Sequence, residues 1–190
     1  MNNNNMTDSQ IKLIELCEKH GVPRMDRKVY VEWANFLFYT SWFEESLFTY
    51  KKRQSPENDM DICKKLITKI NINDYDYFGD YFCNRYIDEN NKTNDQFRKL
   101  NLSTSGPIQP KNITKEALIN YKTQGTKDYK LLFAYLMIVY RFRNNMFHGS
   151  KGLINLVQYT EPISIINQFM NQLLEDIFTC QFKGFRTSNR

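Results

Sequence analysis

The chain has few of the residues that usually announce a function. Among its 190 residues there are only two histidines, His20 and His148, and four cysteines, Cys17, Cys63, Cys83 and Cys180. The cysteines are widely spread with no paired spacing, which argues against a disulfide framework and fits reduced thiols in a cytoplasmic protein. Cys17-x-x-His20 has one half of a zinc-like spacing but no second pair, so no metal site is expected. No phosphate-binding Gly loop, Ser-His-Asp set or internal repeat is present. The longest apolar run, Leu131 to Tyr140, is ten residues, about half of the ~20 needed to span a bilayer. The first residues are four asparagines between methionines. Without a basic or an apolar region there, no signal peptide is expected. Residues 1–6 are expected to be disordered, 7–182 to form one domain, and 183–190 to be a loose tail.

Acid is missing from one long interval. No Asp or Glu occurs between Tyr129 and Thr160, while Lys130, Arg141, Arg143 and Lys151 lie within it. The chain as a whole carries a formal charge of +5, which permits an anionic partner without requiring one. The acid-free interval concentrates that charge just after the apolar run. A core helix ending in a basic, amide-rich tip is the feature around which the rest is read.

Hydrophobic periodicity predicts helices almost throughout. Thr7 and Gln10 form a capping box for a helix running to about His20. Asp26 caps a second, which the pattern carries as far as Lys52. It is apolar nearly all round, with Phe38, Tyr39, Trp42 and Phe48 beside its core stripe, so a central or interfacial place is expected. Pro56 opens a third helix with a periodic pattern to Ile70, and Tyr75 to Ile87 reads as a fourth, with Gly79 as its weak point. Asp88 to Asn112 reads as loop, or a short helix plus loop. A short helix follows from Ile113 to Tyr121, and Thr126 caps the core helix, which ends near Phe147 ahead of Gly149 and Gly152. Leu153 to Tyr159 is open between a short strand and an irregular segment, and Thr160-Glu161-Pro162 starts the last helix. The expected fold class is all-α, a bundle of five to seven helices.

The tip itself reads Arg141-Phe142-Arg143-Asn144-Asn145-Met146-Phe147-His148-Gly149-Ser150-Lys151. Arg143-Asn144-x-x-x-His148-Gly149 resembles the signature of the HEPN superfamily, small all-helical domains of prokaryotic defence and toxin systems and of some eukaryotic ribonucleases. Trp33-Ala34-Asn35-Phe36-Leu37-Phe38, together with Asn144 to Gly149, is similar to a plasmid- and phage-defence-associated branch in which the domain fills nearly the whole chain. The resemblance implies a metal-independent endoribonuclease without a cofactor. It also implies a homodimer that joins two Arg/His motifs in one cleft through the core helices, with an antitoxin or defence-system protein as a further partner. Some HEPN toxins are silenced by adenylylation of a Tyr two residues after the His; here that position is Ser150, so that control is not implied.

The chemistry of the residues is compatible with that activity. Cleavage of RNA through its own 2′-OH needs a base, an acid and positive charge on the phosphorane. His148 has a side chain that titrates near neutrality. Arg143 offers a planar fork of donors to phosphate oxygens. A single His cannot be base and acid at once, which gives pairing of two copies a physical reason. Asn144 is the supporting residue, and Arg141, Asn145 and Lys151 are the candidate RNA contacts. Geometry leaves alternatives open. On an ideal helix His148 lies about 140° around from Arg143, so either the helix deforms, or Arg143 reaches around, or Arg143 is a buried structural arginine. From another class, a non-catalytic HEPN-like module that binds RNA or a protein also fits.

Overall fold

The computed structural model describes residues 7–19, 26–49, 52–147 and 157–184. Among them the fold is an all-α bundle without a strand, with seven helices of eleven residues or more and one of six. They are α1 (Asp8–Lys19), α2 (Arg27–Leu47), α3 (Pro56–Leu66), α4 (Asp76–Tyr86), α5 (Asp95–Leu100), α6 (Pro110–Gln124), α7 (Tyr129–Phe147) and α8 (Thr160–Thr179). A 3₁₀ turn at Ile72–Tyr75 leads into α4, and another at Val157–Tyr159 leads into α8. No described helix is long and apolar enough to cross a membrane.

The bundle is organised around α7. Asp128 opens it by accepting the backbone N–H groups of Lys130 (2.8 Å) and Leu131 (3.2 Å). The cap is therefore Asp128 rather than Thr126; a carboxylate there also faces the positive end of the helix dipole. All ten residues from Leu131 to Tyr140 are then buried. Burying each large apolar side chain contributes roughly 1.5–3 kcal/mol, so this helix fixes the position of everything attached to it. It packs against α3 and α6, while α2 packs against α8 and α4 against α6. The 3₁₀ turn at Val157–Tyr159 resolves the described end of the segment left open between strand and irregular chain.

Several boundaries differ from the periodic pattern. α2 stops at Leu47, because Phe48 turns to an extended conformation (φ −106°, ψ 140°), and the cationic residues Lys52 and Arg53 fall after the helix. α3 stops at Leu66, short of Ile70. α6 is longer than Ile113–Tyr121 at both ends: Pro110 sits in its first turn, and Gly125, at φ 66°, caps its end. In the polar stretch after Asp88, Asn94 accepts from the Phe97 N–H and so caps the short α5. The outer side of α2 carries exposed rings: Phe38 is 60% and Trp42 40% exposed, and the Trp42 ring centre lies 5.1 Å from that of the half-exposed Phe178 of α8.

Candidate functional site

The last described turns of α7 rise out of the core at Arg141. From there Arg141, Arg143, Asn144 and Asn145 are half-buried, and Phe142 is buried against Tyr159. The helix is regular from Tyr129 through Phe147, so no deformation occurs up to that point. His148 and Lys151, and with them Gly149 and Ser150, lie outside the described residues.

Arg143 continues the face of Leu132, Leu136 and Val139, all buried. Its guanidinium therefore points toward a neighbouring helix, and it meets Glu44 of α2, with Nη1 3.0 Å from Oε1. About a third of the Arg143 side chain and a quarter of the Glu44 side chain remain exposed. Arg143 is thus ion-paired within the fold, and its relation to His148 lies outside the described residues. Burial pushes the Glu44 carboxyl above its ordinary range, and the guanidinium pulls it back down. The pair holds one end of the guanidinium in place.

Behind this pair lies a second acid. Asp59 of α3 is 1% exposed, and the Tyr140 hydroxyl donates to its Oδ1 at 3.3 Å. Loss of water pushes its carboxyl up to about 8 against an ordinary 3.8; the Tyr140 hydrogen bond lowers it, and the charges of Glu44 and Glu57 raise it further. At neutral pH Asp59 is therefore mostly protonated. A neutral acid is tolerated in that place where a bare carboxylate would not be. Burial also pushes the neighbouring Cys63 thiol and the Tyr140 phenol well up. The tip of α7 thus rests on a layered cluster with one cation, one largely covered carboxylate and one buried neutral acid.

No protein-family model matches the chain, and no curated protein or solved structure matches it either.

The other predicted contacts are partly engaged within the fold. Arg141 donates through Nε to the Leu100 carbonyl at 2.6 Å and through a terminal nitrogen to Asn145 Oδ1 at 3.3 Å. Leu100 is the last residue of α5, and Asn101 after it is left-handed (φ 51°). Arg141 therefore caps the negative end of α5 and ties it to α7. Asn144, the residue after Arg143, is half-buried. For metal ions, no three His, Cys, Asp or Glu side chains come together among the described residues.

Glu44 and Asp59 were missed in the sequence. Asp59 had a signal: it stands four residues before Cys63 and seven before Leu66, on the buried face of α3. Glu44 stands four residues after the buried Thr40 and three before Leu47. An acid in phase with a core stripe asks for a partner, but nothing local says that the partner is Arg143, 99 positions away.

Proposed function

We propose that this chain is a metal-independent endoribonuclease of the HEPN type, acting as a homodimer in a prokaryotic defence or toxin role, with RNA as substrate. The observation that carries the reading is Arg143, held by Glu44 at the emerging end of a buried helix, five residues before the only histidine in an acid-free interval. An arginine held in place by a carboxylate has little side-chain freedom left to lose when a phosphate approaches it.

In the proposed reaction the RNA 2′-oxygen gives up its proton to one histidine and attacks the adjacent phosphorus. The bond from phosphorus to the 5′-oxygen breaks, and a second histidine returns a proton to that leaving oxygen. The products are a 2′,3′-cyclic phosphate and a 5′-hydroxyl. His148 of each copy takes one of the two proton-transfer roles. Arg143 balances the extra negative charge on the phosphorane. Asn144 supports the pair, and Lys151, with Arg141 and Asn145, faces the RNA backbone. The exposed Phe38, Trp42 and Phe178 ladder supplies uncovered apolar surface for pairing on the α2 and α8 side.

A second reading is favoured by the engagement of both arginines inside the fold, Arg143 with Glu44 and Arg141 with Leu100. On that reading the chain is a non-catalytic module that binds RNA or a protein. The test is to incubate the purified protein with mixed RNA in excess chelator and map the ends. Cyclic phosphate and 5′-hydroxyl ends formed in chelator are expected. Products with 3′-hydroxyl and 5′-phosphate ends, or loss of all cleavage in chelator, would overturn the nuclease reading.

A further inference from the structure

We propose that the end of α5 and the start of α6 form a basic ledge beside the α7 tip, and that this ledge holds the RNA backbone at phosphates flanking the one that is cleaved. The ledge rests on the RNA substrate proposed above and extends its footprint beyond α7.

Two acid-free stretches meet there. After the interval Tyr129–Thr160, the longest run without Asp or Glu is the twenty residues from Gln96 to Lys115, and it carries Arg98, Lys99, Lys111 and Lys115. The two stretches are joined in space at Arg141, whose Nε donates to the Leu100 carbonyl at 2.6 Å. α6 comes to the same place by another route. It is joined to α7 through residues 125–128 and packs along it, so the two run antiparallel. One length of α6, fifteen residues, counted from Tyr129 reaches Arg143, so the first turn of α6 lies level with the tip. The Lys111 N–H donates to the Ser103 carbonyl at 3.0 Å, which brings the connection after α5 onto that turn.

Lys99, Lys111 and Lys115 are exposed, and none of them meets a carboxylate among the described residues. The acids that border the run are turned elsewhere. Asp95 pairs with Arg98 of its own helix, and Glu116 lies about 100° around α6 from Lys115. Lys111 and Lys115 share a flank of α6, one turn and roughly 6 Å apart, close to the spacing of successive phosphates in an extended strand. Helix polarity acts in the same sense. The positive end of the α6 dipole is at the ledge, and Arg141 caps the Leu100 carbonyl that would otherwise set a negative helix end beside RNA. Lysine ammonium groups serve phosphates as mobile point charges. The exposed hydroxyls of Ser103, Thr104 and Ser105 lie between the lysines in sequence and are further donors to phosphate or sugar oxygens.

The experiment uses the full chain and a 2′-O-methyl oligonucleotide, which has no free 2′-OH and so binds without being cleaved. Lys99→Ala, Lys111→Ala and Lys115→Ala combined should weaken binding at least tenfold and reduce the slope of log affinity against log salt by roughly 2, as expected for three lost contacts to a single strand. Lys64→Ala, Lys65→Ala and Lys69→Ala combined remove the same charge toward the other end of α7, where Lys64 stands over the Tyr129 ring, and should leave both quantities nearly unchanged. In the wild-type protein the oligonucleotide should shield Lys99, Lys111 and Lys115 from acetylation in preference to Lys64, Lys65 and Lys69. That shielding decides if the ledge variant is unfolded by thermal melting. Equal losses in the two triple variants, an unchanged salt slope in the ledge variant, or equal acetylation of the ledge with and without the oligonucleotide would each overturn the proposal. Cleavage plays no part in these readouts. A ledge that fails therefore leaves the nuclease reading to its own test, and a protein that binds on the ledge but cleaves no RNA overturns that reading alone.

Discussion

Asp59→Asn replaces the buried acid with an amide of the same shape that never ionises, and the consequence can be worked from the fold. In the unfolded chain Asp59 loses its proton near its ordinary 3.8; in the folded protein it holds it to about 8. Between those values the native state binds one more proton than the unfolded state. Its contribution to stability is therefore complete below pH 3.8 and declines as pH rises toward 8. The slope is about 1.4 kcal/mol per pH unit, so keeping the acid protonated at pH 7 costs on the order of 4 kcal/mol. Asp59→Asn removes that slope. The Asn amide brings N–H donors that need partners, a penalty of about 1–3 kcal/mol where they find none. This offset is independent of pH. Urea unfolding at pH 5 and pH 7 should therefore show the variant gaining on wild type by roughly 3 kcal/mol, or about 6–12 °C in midpoint by the usual size scaling. Parallel stability curves for the two proteins would refute the reasoning, because they would mean that Asp59 is ionised in the fold.

Other outcomes follow from the same packing. Glu44→Gln should lower stability by about 1–2 kcal/mol, between an exposed and a buried ion pair, and a double-mutant cycle with Arg143→Gln should show coupling; additive losses would separate the two side chains. Gly79→Ala should cost about 1–3 kcal/mol in a chemical melt, because its new Cβ would lie 2.6 Å from Tyr121 Cζ and 2.7 Å from the Tyr135 hydroxyl; an unchanged melt would contradict this close approach. Trp42→Glu should turn a dimer into a monomer in sedimentation if α2 carries the pairing surface, and a wild-type protein that is monomeric yet cleaves RNA would remove the composite cleft.

Much of the fold was legible because it is local. The run from Leu131 to Tyr140 could only be a buried helix, and Ser55-Pro56 and Asp26 are start signals whose side chains or ring act within one turn. Gly79, which weakened the helical pattern, is there because two tyrosines from α6 and α7 leave no room for a Cβ. Helix ends were less legible. The period of α2 continues to Tyr50 in the sequence, yet Phe48 leaves the helix to pack partly buried against the core, a tertiary choice. The candidate site was legible on one side only. Arg143 was visible from its motif, but Glu44 and Asp59 acquire meaning through space: one by meeting the guanidinium, the other by being shut off from water beneath Tyr140. Arg141 was expected to face RNA, and the free carbonyl of α5 that holds it could not be known until α5 itself was placed.

His148→Ala tests most directly the proposed proton transfer by His148 and the proposed phosphate contact of Arg143. With the fold verified by thermal melting, single-turnover cleavage of RNA should fall by roughly 10²–10⁴-fold, while RNA affinity stays near that of wild type. Lys151→Ala should do the reverse, weakening binding and reducing its dependence on salt. A folded His148→Ala protein that cleaves RNA at the wild-type rate would contradict the account.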